Sequence, residues 1–399
     1  MSVYVYDVVR TGRGKARESG GLAHIPPLEL LTRVATALAT RNGLRDGALQ
    51  DLVGGTATQW GSQGGNIARA AAILAGWGST TSGLMLNRFC SSGVDAINTA
   101  AAQVGFGSAS LVGAGGVESI SSAPMYSDRG PLFTDDEIVA RAGSVAMGIS
   151  ADVIATLELF EREELDAYGL RTQKRAAAAW SDGIFERELL PVERADGGLF
   201  AADEAMRPQT TSESLAALEP AFEHLGRSGQ DDLVRQHHPE LTEIRHLHTV
   251  GTSPTLVDAA SLLLIGDENA GREQSLTPRA RIVAAATAVV DPVIMLTAGQ
   301  RSTEDVLRRA GVHPSDVAVY EVAEAFAASC LRFQRDLSIE DDRFNPHGGT
   351  IAMGHAFGAT GAILAANCIG ELERRGARYG VIAVSGAAGV GSATLFERL

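Results

Sequence analysis

Cys90 is the residue of this sequence best placed for nucleophilic chemistry. It lies in LNRFCSSGVDAI, where an apolar strand pattern ends and small residues begin a helix pattern. A thiol at a helix N-terminus has its thiolate form favoured by unpaired N–H groups and the helix dipole. A single cysteine among apolar residues is also a common core residue. The pattern alone therefore leaves a catalytic thiol and a packed thiol both open.

His355 is the strongest candidate for a base. It lies in NPHGGTIAMGHAFGATGA, again between a glycine-rich turn and a helix pattern. Glycines on both sides let another chain segment or a ligand approach the backbone closely, which a packed core histidine does not require. If the two halves of the chain are structurally equivalent, the Cys90 and His355 loops occupy corresponding positions. They would then meet and pair a nucleophile with its base.

A third cluster of small residues, VSGAAGVGSATLF, follows a strand pattern near the end of the chain. Its free N–H groups could form an oxyanion pocket together with the N–H of Cys90. A tight hairpin between two strands explains the same residues equally well.

Other residues of chemically interesting types favour structural roles. His237 and His238 lie in a polar segment without the cysteine or aspartate spacing of a metal site, so we expect solvated loop histidines and no metal. Cys330 and Cys368 lie in Ala-rich helical segments and are expected in the core. The three cysteines lack CxxC spacing, so neither a disulfide framework nor a zinc site is predicted.

The element pattern predicts two similar α/β halves built on mainly parallel sheets with helices on both faces. The first half is expected to contain strands at 3–8, 83–89 and 109–115 and helices at 27–40, 67–75 and 91–105. The last part repeats this rhythm, with strands at 281–289, 317–320, 379–384 and 392–396 and helices at 303–310, 324–333 and 355–373.

Between the halves, residues 119–248 are more charged and loop-rich. Residues 161–180 form an amphipathic helix pattern, and the polar insert GRSGQDDLVRQHHPELTEIRHLH follows. We interpret this region as an excursion that covers a site.

Composition narrows the function classes. The chain has 399 residues, 45% of them hydrophobic and 5% aromatic, with 45 glycines, which is typical of a multidomain α/β protein. A formal charge of −14 disfavours nucleic-acid binding, which requires a cationic face. No signal peptide and no run of 18 uncharged apolar residues is present, so we expect a cytoplasmic protein without a membrane span.

The three clusters, in this order and spacing, resemble the thiolases over nearly the whole chain. NRFCSSG looks like the family's nucleophile motif, and GGTIAMGHAFGATG is similar to its GHPxGxxG block. Further family-like stretches are VYDVVRT, GNIARAAAILAG, GAGGVESISSAP, DEAMRPQTTSESLAALEPAF and REELDAYGLRTQKRAAAA.

The resemblance implies two βαβαβαββ halves in a five-layered αβαβα core. It places the first half at 1–118 plus 249–275, an inserted loop domain at 119–248 and the second half at 276–399. It also implies a homodimer or homotetramer. Coenzyme A, acyl-CoA and 3-ketoacyl-CoA would be substrates, and no bound cofactor would be needed. Cys90, deprotonated by His355, would attack the 3-keto carbonyl, and free CoA would collect the shortened acyl group. Substrate and CoA contacts are expected at Met147, Pro254, Gly354, Ala387 and Gly389.

The chain departs from the family at several positions of the catalytic machinery. The family's second active-site cysteine falls on Ser385, whose hydroxyl is a much poorer acid and base than a thiol. The asparagine that holds an oxyanion-hole water falls on Ala323, and loss of one such donor typically costs roughly 100- to 1000-fold in rate. Glu324 occupies the family's matching glutamate position. Ala356, Ala387 and Ala388 replace a proline and loop glycines, and Pro254 replaces a CoA-contacting serine.

Three functions therefore remain open. The first is a working thiolase, which cleaves 3-ketoacyl-CoA or condenses two acyl-CoAs. The second is an altered acyltransferase or thioester hydrolase, which acylates Cys90 without carbon–carbon chemistry. The third is a non-catalytic acyl-CoA-binding subunit, which would need neither Cys90 nor His355.

Overall fold

A computed structural model describes all 399 residues. Its strands are β1 (Val3–Thr11), β2 (Gly14–Lys15), β3 (Asp51–Gly55), β4 (Leu84–Leu86), β5 (Leu111–Glu118), β6 (Leu189–Leu190), β7 (Val192–Glu193), β8 (Leu199–Phe200), β9 (Val257–Gly266), β10 (Ala280–Val289), β11 (Val317–Val322), β12 (Tyr379–Ser385) and β13 (Val390–Arg398). Its helices are α1 (Pro27–Arg41), α2 (Ile67–Leu74), α3 (Ser92–Phe106), α4 (Pro131–Thr134), α5 (Asp136–Ala142), α6 (Met147–Leu157), α7 (Arg162–Ser181), α8 (Ser212–Ala216), α9 (Glu223–Leu225), α10 (Asp231–His237), α11 (Glu268–Glu273), α12 (Ala298–Ala310), α13 (Ala327–Asp336), α14 (Thr350–Met353) and α15 (Phe357–Arg375).

The expected five layers are present. Helices α3 and α15 pack against each other and lie between two sheets, with strand orders β4-β3-β5-β9-β1 and β10-β13-β12-β11. Helices α1 and α2 cover the outer face of the first sheet, and α12 and α13 cover that of the second. Three apolar clusters fill the spaces between layers, so the fold rests on separate inner and outer cores.

The two halves repeat one topology. In the second sheet, an isolated β-bridge between Tyr320 and Phe344 lies next to β11, at the position that β4 occupies next to β3 in the first sheet. Both sheets therefore have the same strand order from edge to edge. The halves meet where β1 and β10 pair antiparallel, from Val3–Ile282 to Val5–Ala280. The predicted structural repeat is therefore confirmed without a visible repeat in sequence.

The expectation of mainly parallel sheets was wrong. Pairs β3–β4, β3–β5 and β11–β12 are parallel, but β9 and β13 run antiparallel to both of their neighbours. Every residue of β5 and β9 is buried, so an antiparallel strand carries the same continuous apolar run as a parallel one.

Local patterns missed some elements. Strands β3 and β9 and helix α6 were not predicted, and α13 begins at Ala327 because residues 323–326 form a loop after β11. His237 ends helix α10, so the expected polar loop is partly helical. The proposed domain boundaries remain a prediction; the chain between β5 and β9 carries α4 to α10 and the β7–β8 hairpin.

One segment, Asp136–Leu157, is long and apolar enough to cross a membrane by composition, which is weak evidence. In the structure it is two helices, α5 and α6, separated at Gly143, which has a φ of +62°. Helix α6 packs into the apolar cluster of the second half, as expected of a core helix.

Candidate active site

Cys90 lies on a sharp turn between β4 and α3. The preceding residue, Phe89, has a φ of +51°, a conformation that costs a non-glycine residue energy and is found mostly where structure over-determines it. The Ser92 hydroxyl fixes the turn, because it accepts from Arg88 N at 2.8 Å and donates to Phe89 O at 2.6 Å. Ser91 Oγ donates to Val384 O at 2.8 Å and attaches the turn to the end of β12.

His355 is held on an equivalent turn before α15. Gly354 has a φ of +99°, and a Cβ there would overlap the Val257 side chain, so glycine is required. The His355 N–H donates to Thr255 O at 2.8 Å, and Nδ1 lies 2.8 Å from Thr360 Oγ1. Thr360 is a site residue that the sequence analysis missed, although a hydroxyl one turn after the histidine is the signal that could have found it.

The Cys90 and His355 turns are brought together by the two central helices. Each residue lies two positions before its helix, since α3 begins at Ser92 and α15 at Phe357. The backbones of Gly93 and Gly358 are in contact, and a side chain on either glycine would overlap the backbone of a neighbouring segment of the same chain. Because these glycines each follow the candidate residue by three positions, the contact between them brings the two turns to one place.

Burial keeps both groups neutral. It raises the pKa of the Cys90 thiol to about 12, with the charge of Glu118 acting in the same direction. Burial also lowers the pKa of His355 to about 3, with the positive charge of Arg13 contributing. The expectation that the helix N-terminus favours a resting thiolate is therefore corrected: desolvation outweighs it.

A small apolar pocket opens onto Cys90. Phe357 lines it and also stacks edge-on against His355, with ring centroids 5.1 Å apart. Asp128, an exposed residue, is the only charged residue in the lining. The remaining residues around Cys90 are Ala57, Thr58, Phe89, Met125, Tyr126, Phe133, Met147 and Ala387. Of the residues expected to contact substrate, Met147 and Ala387 thus lie in this pocket.

The loop after β12 packs against the Cys90 turn. A Cβ atom at position 386 would lie only 3.0 Å from Arg88 O, so the backbones of Gly386 and Arg88 run close together. Ala388 adopts a left-handed conformation with φ of +57°. Gly389 has a φ of +76° and no room for a side chain beside Val290 O, so it supports the loop rather than lining the pocket.

Comparison with known proteins agrees with this architecture. Residues 3–229 match the family model described as Thiolase, N-terminal domain, and residues 276–398 match Thiolase, C-terminal domain. The chain is 35% identical to the 3-oxoadipyl-CoA/3-oxo-5,6-dehydrosuberyl-CoA thiolase of Escherichia coli K12, covering 99% of both chains. It is 34% identical to a 3-ketoacyl-CoA thiolase of Klebsiella pneumoniae, covering 100% of this chain and 99% of that one. The Bacillus anthracis acetyl-CoA acetyltransferase superposes with a TM-score of 0.86 at 29% identity, over 100% of this chain and 99% of the other.

The chain belongs to the thiolase family. By family it is an acyl-CoA C-acyltransferase. The positions at which this thiolase departs from the family pattern are therefore the most informative part of its site.

Ser385 is committed to hydrogen bonds within the fold of this thiolase. Its hydroxyl donates to Leu296 O at 2.8 Å and accepts from Gly299 N at 2.8 Å. Both partners lie next to the start of α12, and Ser385 is absent from the lining of the Cys90 pocket. The hydroxyl therefore joins β12 to α12 and has no proton left to offer a substrate.

Glu324 and Ala323 follow β11. Ala323 is buried in the central core and offers only a methyl group at the position of the family's asparagine. Glu324 is fully buried; one of its oxygens accepts from Tyr168 Oη at 2.9 Å and the other from Ile351 N at 3.0 Å. Thr172 and Asn345 donate to the same carboxylate, which supports a structural role in holding the chain ahead of α14.

Cys330 does not replace the missing thiol. It lies in the outer core of the second half, beside Tyr168 and Glu324, whereas Cys90 lies in the central core. Cys368 is also buried, in the central core, on α15. No group of His, Cys, Asp or Glu side chains is arranged to hold a metal ion.

Arg13 is a second site residue that sequence analysis missed. It is buried behind the His355 turn, where its guanidinium donates to Gly354 O at 3.3 Å and to Asp203 Oδ2 at 2.5 Å. Asp203 also accepts from Arg10 at 3.1 Å. The half-buried Pro254 lies on the segment whose Thr255 carbonyl receives the His355 N–H, but it does not line the Cys90 pocket.

Proposed function

We propose that this protein transfers acyl groups between 3-ketoacyl-CoA and CoA through a thioester on Cys90, with His355 as the base. The observation that carries the proposal is the contact between Gly93 and Gly358, which brings the two turns together beside an apolar pocket. Both groups are buried, so water is largely excluded from the reacting atoms.

The neutral state of both groups suits a concerted start. With Nδ1–H donated to Thr360, His355 Nε2 is free to accept the thiol proton as Cys90 Sγ attacks the 3-keto carbonyl. The Cys90 N–H and the loop after β12 would stabilise the oxyanion. Cleavage of the C2–C3 bond then releases acetyl-CoA once its α-carbon is protonated, and the CoA thiol attacks the acyl-Cys90 thioester. The reverse sequence is a Claisen condensation.

A second function is favoured by the region around Ser385 and Ala323. The α-carbon needs a proton donor, yet the Ser385 hydroxyl is committed to Leu296 O and Ala323 has no polar atom. Attack on a simple acyl-CoA requires no such donor. An acyltransferase to another acceptor or a thioester hydrolase, working through the same acyl-Cys90, is therefore the alternative.

The pocket favours an uncharged acyl chain. Its walls are aromatic and aliphatic, and its only charge is negative, so a terminal carboxylate would be both desolvated and repelled. The Escherichia coli relative is named for a dicarboxylic thioester, 3-oxoadipyl-CoA. We therefore expect this protein to differ from that relative in substrate. CoA enters as a substrate, and no resident cofactor is proposed.

We propose a cytoplasmic homodimer or homotetramer. Strand β4 lies at the edge of the sheet, and the unpaired backbone groups of an edge strand can pair with another chain. Exposed apolar side chains surround it, namely Leu84 on β4 itself and Ile73 and Leu74 at the end of α2, which packs on β4. All three cysteines are free, in keeping with a reducing compartment.

The decisive experiment is intact mass spectrometry of the protein after incubation with 3-ketoacyl-CoAs and simple acyl-CoAs, without free CoA. An adduct on Cys90 that is two carbons shorter than the 3-ketoacyl substrate establishes carbon–carbon cleavage. Labelling by simple acyl-CoAs alone supports the altered acyltransferase or hydrolase, and no adduct supports a binding subunit. Cys90→Ala is the control and should remove every adduct.

A further inference from the structure

Glu118, the last residue of β5, is a fully buried carboxylate next to the candidate site. One oxygen accepts from Ala57 N at 2.8 Å and from Gly358 N at 3.1 Å. The other oxygen accepts from Gln63 Nε2 at 3.0 Å and from Thr58 N and Thr56 Oγ1, both at 3.2 Å. Burial raises the pKa of Glu118 above its ordinary value, and the hydrogen bonds it accepts oppose this rise. Five donors and no acceptor surround the carboxylate, an arrangement that only the ionised form satisfies in full.

These donors belong to two walls of the site. Ala57 and Thr58 line the pocket that opens onto Cys90. Gly358 lies in the first turn of α15, between His355 and the Thr360 that orients its ring. Glu118 therefore joins the pocket wall to the helix that carries the base.

The internal symmetry of the fold relates the position of Glu118 to that of Ser385 in the other half. Glu118 stands two residues beyond Gly116, which pairs with Gly55, the last residue of β3. In the other half, Ser385 stands two residues beyond Ala383, which pairs with Val322, the last residue of β11. Glu118 is thus the structural counterpart of Ser385, as Cys90 is of His355.

We propose that Glu118 is a positioning residue, which fixes the first turn of α15 against the Cys90 pocket and which its five donors hold in the ionised form beside that pocket. The first part rests on the proposed function, because it concerns the alignment of His355 with Cys90. Besides Glu118, the ionisable groups around Cys90 are His355, Tyr126 and the exposed Asp128. Of these groups, Glu118 is the fully buried carboxylate, and in its ionised form it adds to the burial that raises the pKa of Cys90.

Two substitutions separate charge from position. Glu118→Gln removes the charge and turns an amide NH₂ toward groups that are all donors, whereas Glu118→Asp keeps the charge and shortens its reach. The first measurement is the pH dependence of Cys90 alkylation by iodoacetamide, followed by mass. Its midpoint should fall in Glu118→Gln and stay at the wild-type value in Glu118→Asp.

The second measurement is steady-state kinetics on whichever thioester labels Cys90. Both variants should lose kcat, by about 100-fold, with much smaller changes in KM, because misplacement of the base by about 1 Å has an effect of that size. Glu324→Gln is the matched control, since it alters another fully buried carboxylate that is held by several donors but lies outside the Cys90 pocket. It should lower thermal stability without moving the alkylation midpoint.

An unchanged midpoint in Glu118→Gln, or a kcat within about twofold of wild type in both variants, would overturn the proposal. If Glu118→Gln does not fold, Thr56→Val removes one donor while keeping the shape, and should lower kcat several-fold without moving the midpoint. Because iodoacetamide requires no thioester chemistry, the midpoint tests Glu118 even if no acyl-CoA labels the wild type. That last result would instead defeat the proposed function.

Discussion

The core of this protein differs from an ordinary apolar core in containing several fully buried ionisable side chains. Glu321 on β11 is fully buried; one oxygen accepts from Asn367 Nδ2 at 3.2 Å, and the other has no partner. Burial raises its pKa to about 8, with Glu371 nearby acting in the same direction. The folded protein therefore keeps a proton here that the unfolded chain loses near pH 4.5.

Glu321→Gln should stabilise the protein at high pH. Because the folded-state pKa lies above the unfolded one, the wild-type free energy of unfolding falls as pH rises from about 4.5 to about 8. Glutamine keeps the oxygen that accepts from Asn367 and does not ionise in this pH range. The gain in melting temperature should be large at pH 8 and close to zero at pH 4.5. An equal gain at both values would show that Glu321 is ionised in the fold.

Ala388 offers a second test at the residue level. Its φ of +57° costs an L-residue roughly 1–2 kcal/mol, a cost that glycine does not have. Ala388→Gly should therefore raise the free energy of unfolding by about 0.5–1 kcal/mol after the added chain entropy of glycine is subtracted. Its neighbour Ala387 has no positive φ, so Ala387→Gly should lower it by about 0.5–1 kcal/mol. Chemical denaturation of both variants measures these changes. Changes of the same sign in the free energy of unfolding would contradict backbone strain at Ala388.

At the level of elements, a histidine–aspartate cluster fastens the polar insert to α6. Asp152 of α6 is fully buried, and its oxygens accept from His248 Nδ1 at 2.8 Å and His246 Nδ1 at 3.0 Å. His246 also contacts Asp231 of α10 at 3.2 Å. Since Met147 at the start of α6 lines the Cys90 pocket, this cluster supports one side of the site from a distance.

The cluster should make the insert less stable at alkaline pH. The hydrogen bond to Asp152 raises the pKa of His246, so its contribution is complete below about pH 6.5 and is lost as pH rises through the higher folded-state value. His246→Ala should cost about 1–3 kcal/mol at pH 6 and less at pH 9. The exposed His24 provides a control, as His24→Ala should change stability little at either pH. A cost for His246→Ala that does not vary with pH would exclude a charged His246.

At the level of the whole molecule, one buried ion cluster joins three regions of the chain. Arg10 and Arg13 come from the first half, Asp203 comes from the region between β5 and β9, and Arg13 reaches Gly354 of the second half. Although burial by itself would raise the pKa of Asp203, the two arginines hold it below its ordinary value. Its stabilising effect is therefore present above about pH 3.8 and lost as pH falls below that.

Asp203→Asn should destabilise the protein by about 3–5 kcal/mol, because it leaves two buried arginines without a counter-charge. It should also disturb the His355 turn through Arg13. Asp196→Asn, which breaks an exposed pair with Arg194, is the control and should cost less than about 1 kcal/mol. Urea unfolding measures the loss of stability in both variants. Similar losses would mean that the buried cluster does not hold the three regions together.

Much of this molecule could be predicted from local sequence. The helices at 27–41, 92–106 and 357–375 were expected within a few residues, because apolar periodicity and flanking glycines are local signals. Strand direction could not be predicted in this way. Strand β9 pairs with β1 and β5, which are distant in sequence, and full burial gives it no alternation to interpret.

The sequence by itself determined the family and the two candidate residues, Cys90 and His355, because motif spacing and periodicity are local properties; the family resemblance in turn implied the layered architecture. Only the tertiary structure decided the state of those residues. Desolvation depends on every neighbouring element, and it makes Cys90 a neutral thiol although it stands at a helix N-terminus. The hydrogen-bond partners of Glu118 lie 55 to 240 residues away in the sequence, and those of Ser385 lie 86 to 89 residues away. Long-range packing alone therefore places the Glu118 carboxylate next to the candidate site and commits the Ser385 hydroxyl to hydrogen bonds elsewhere in the fold.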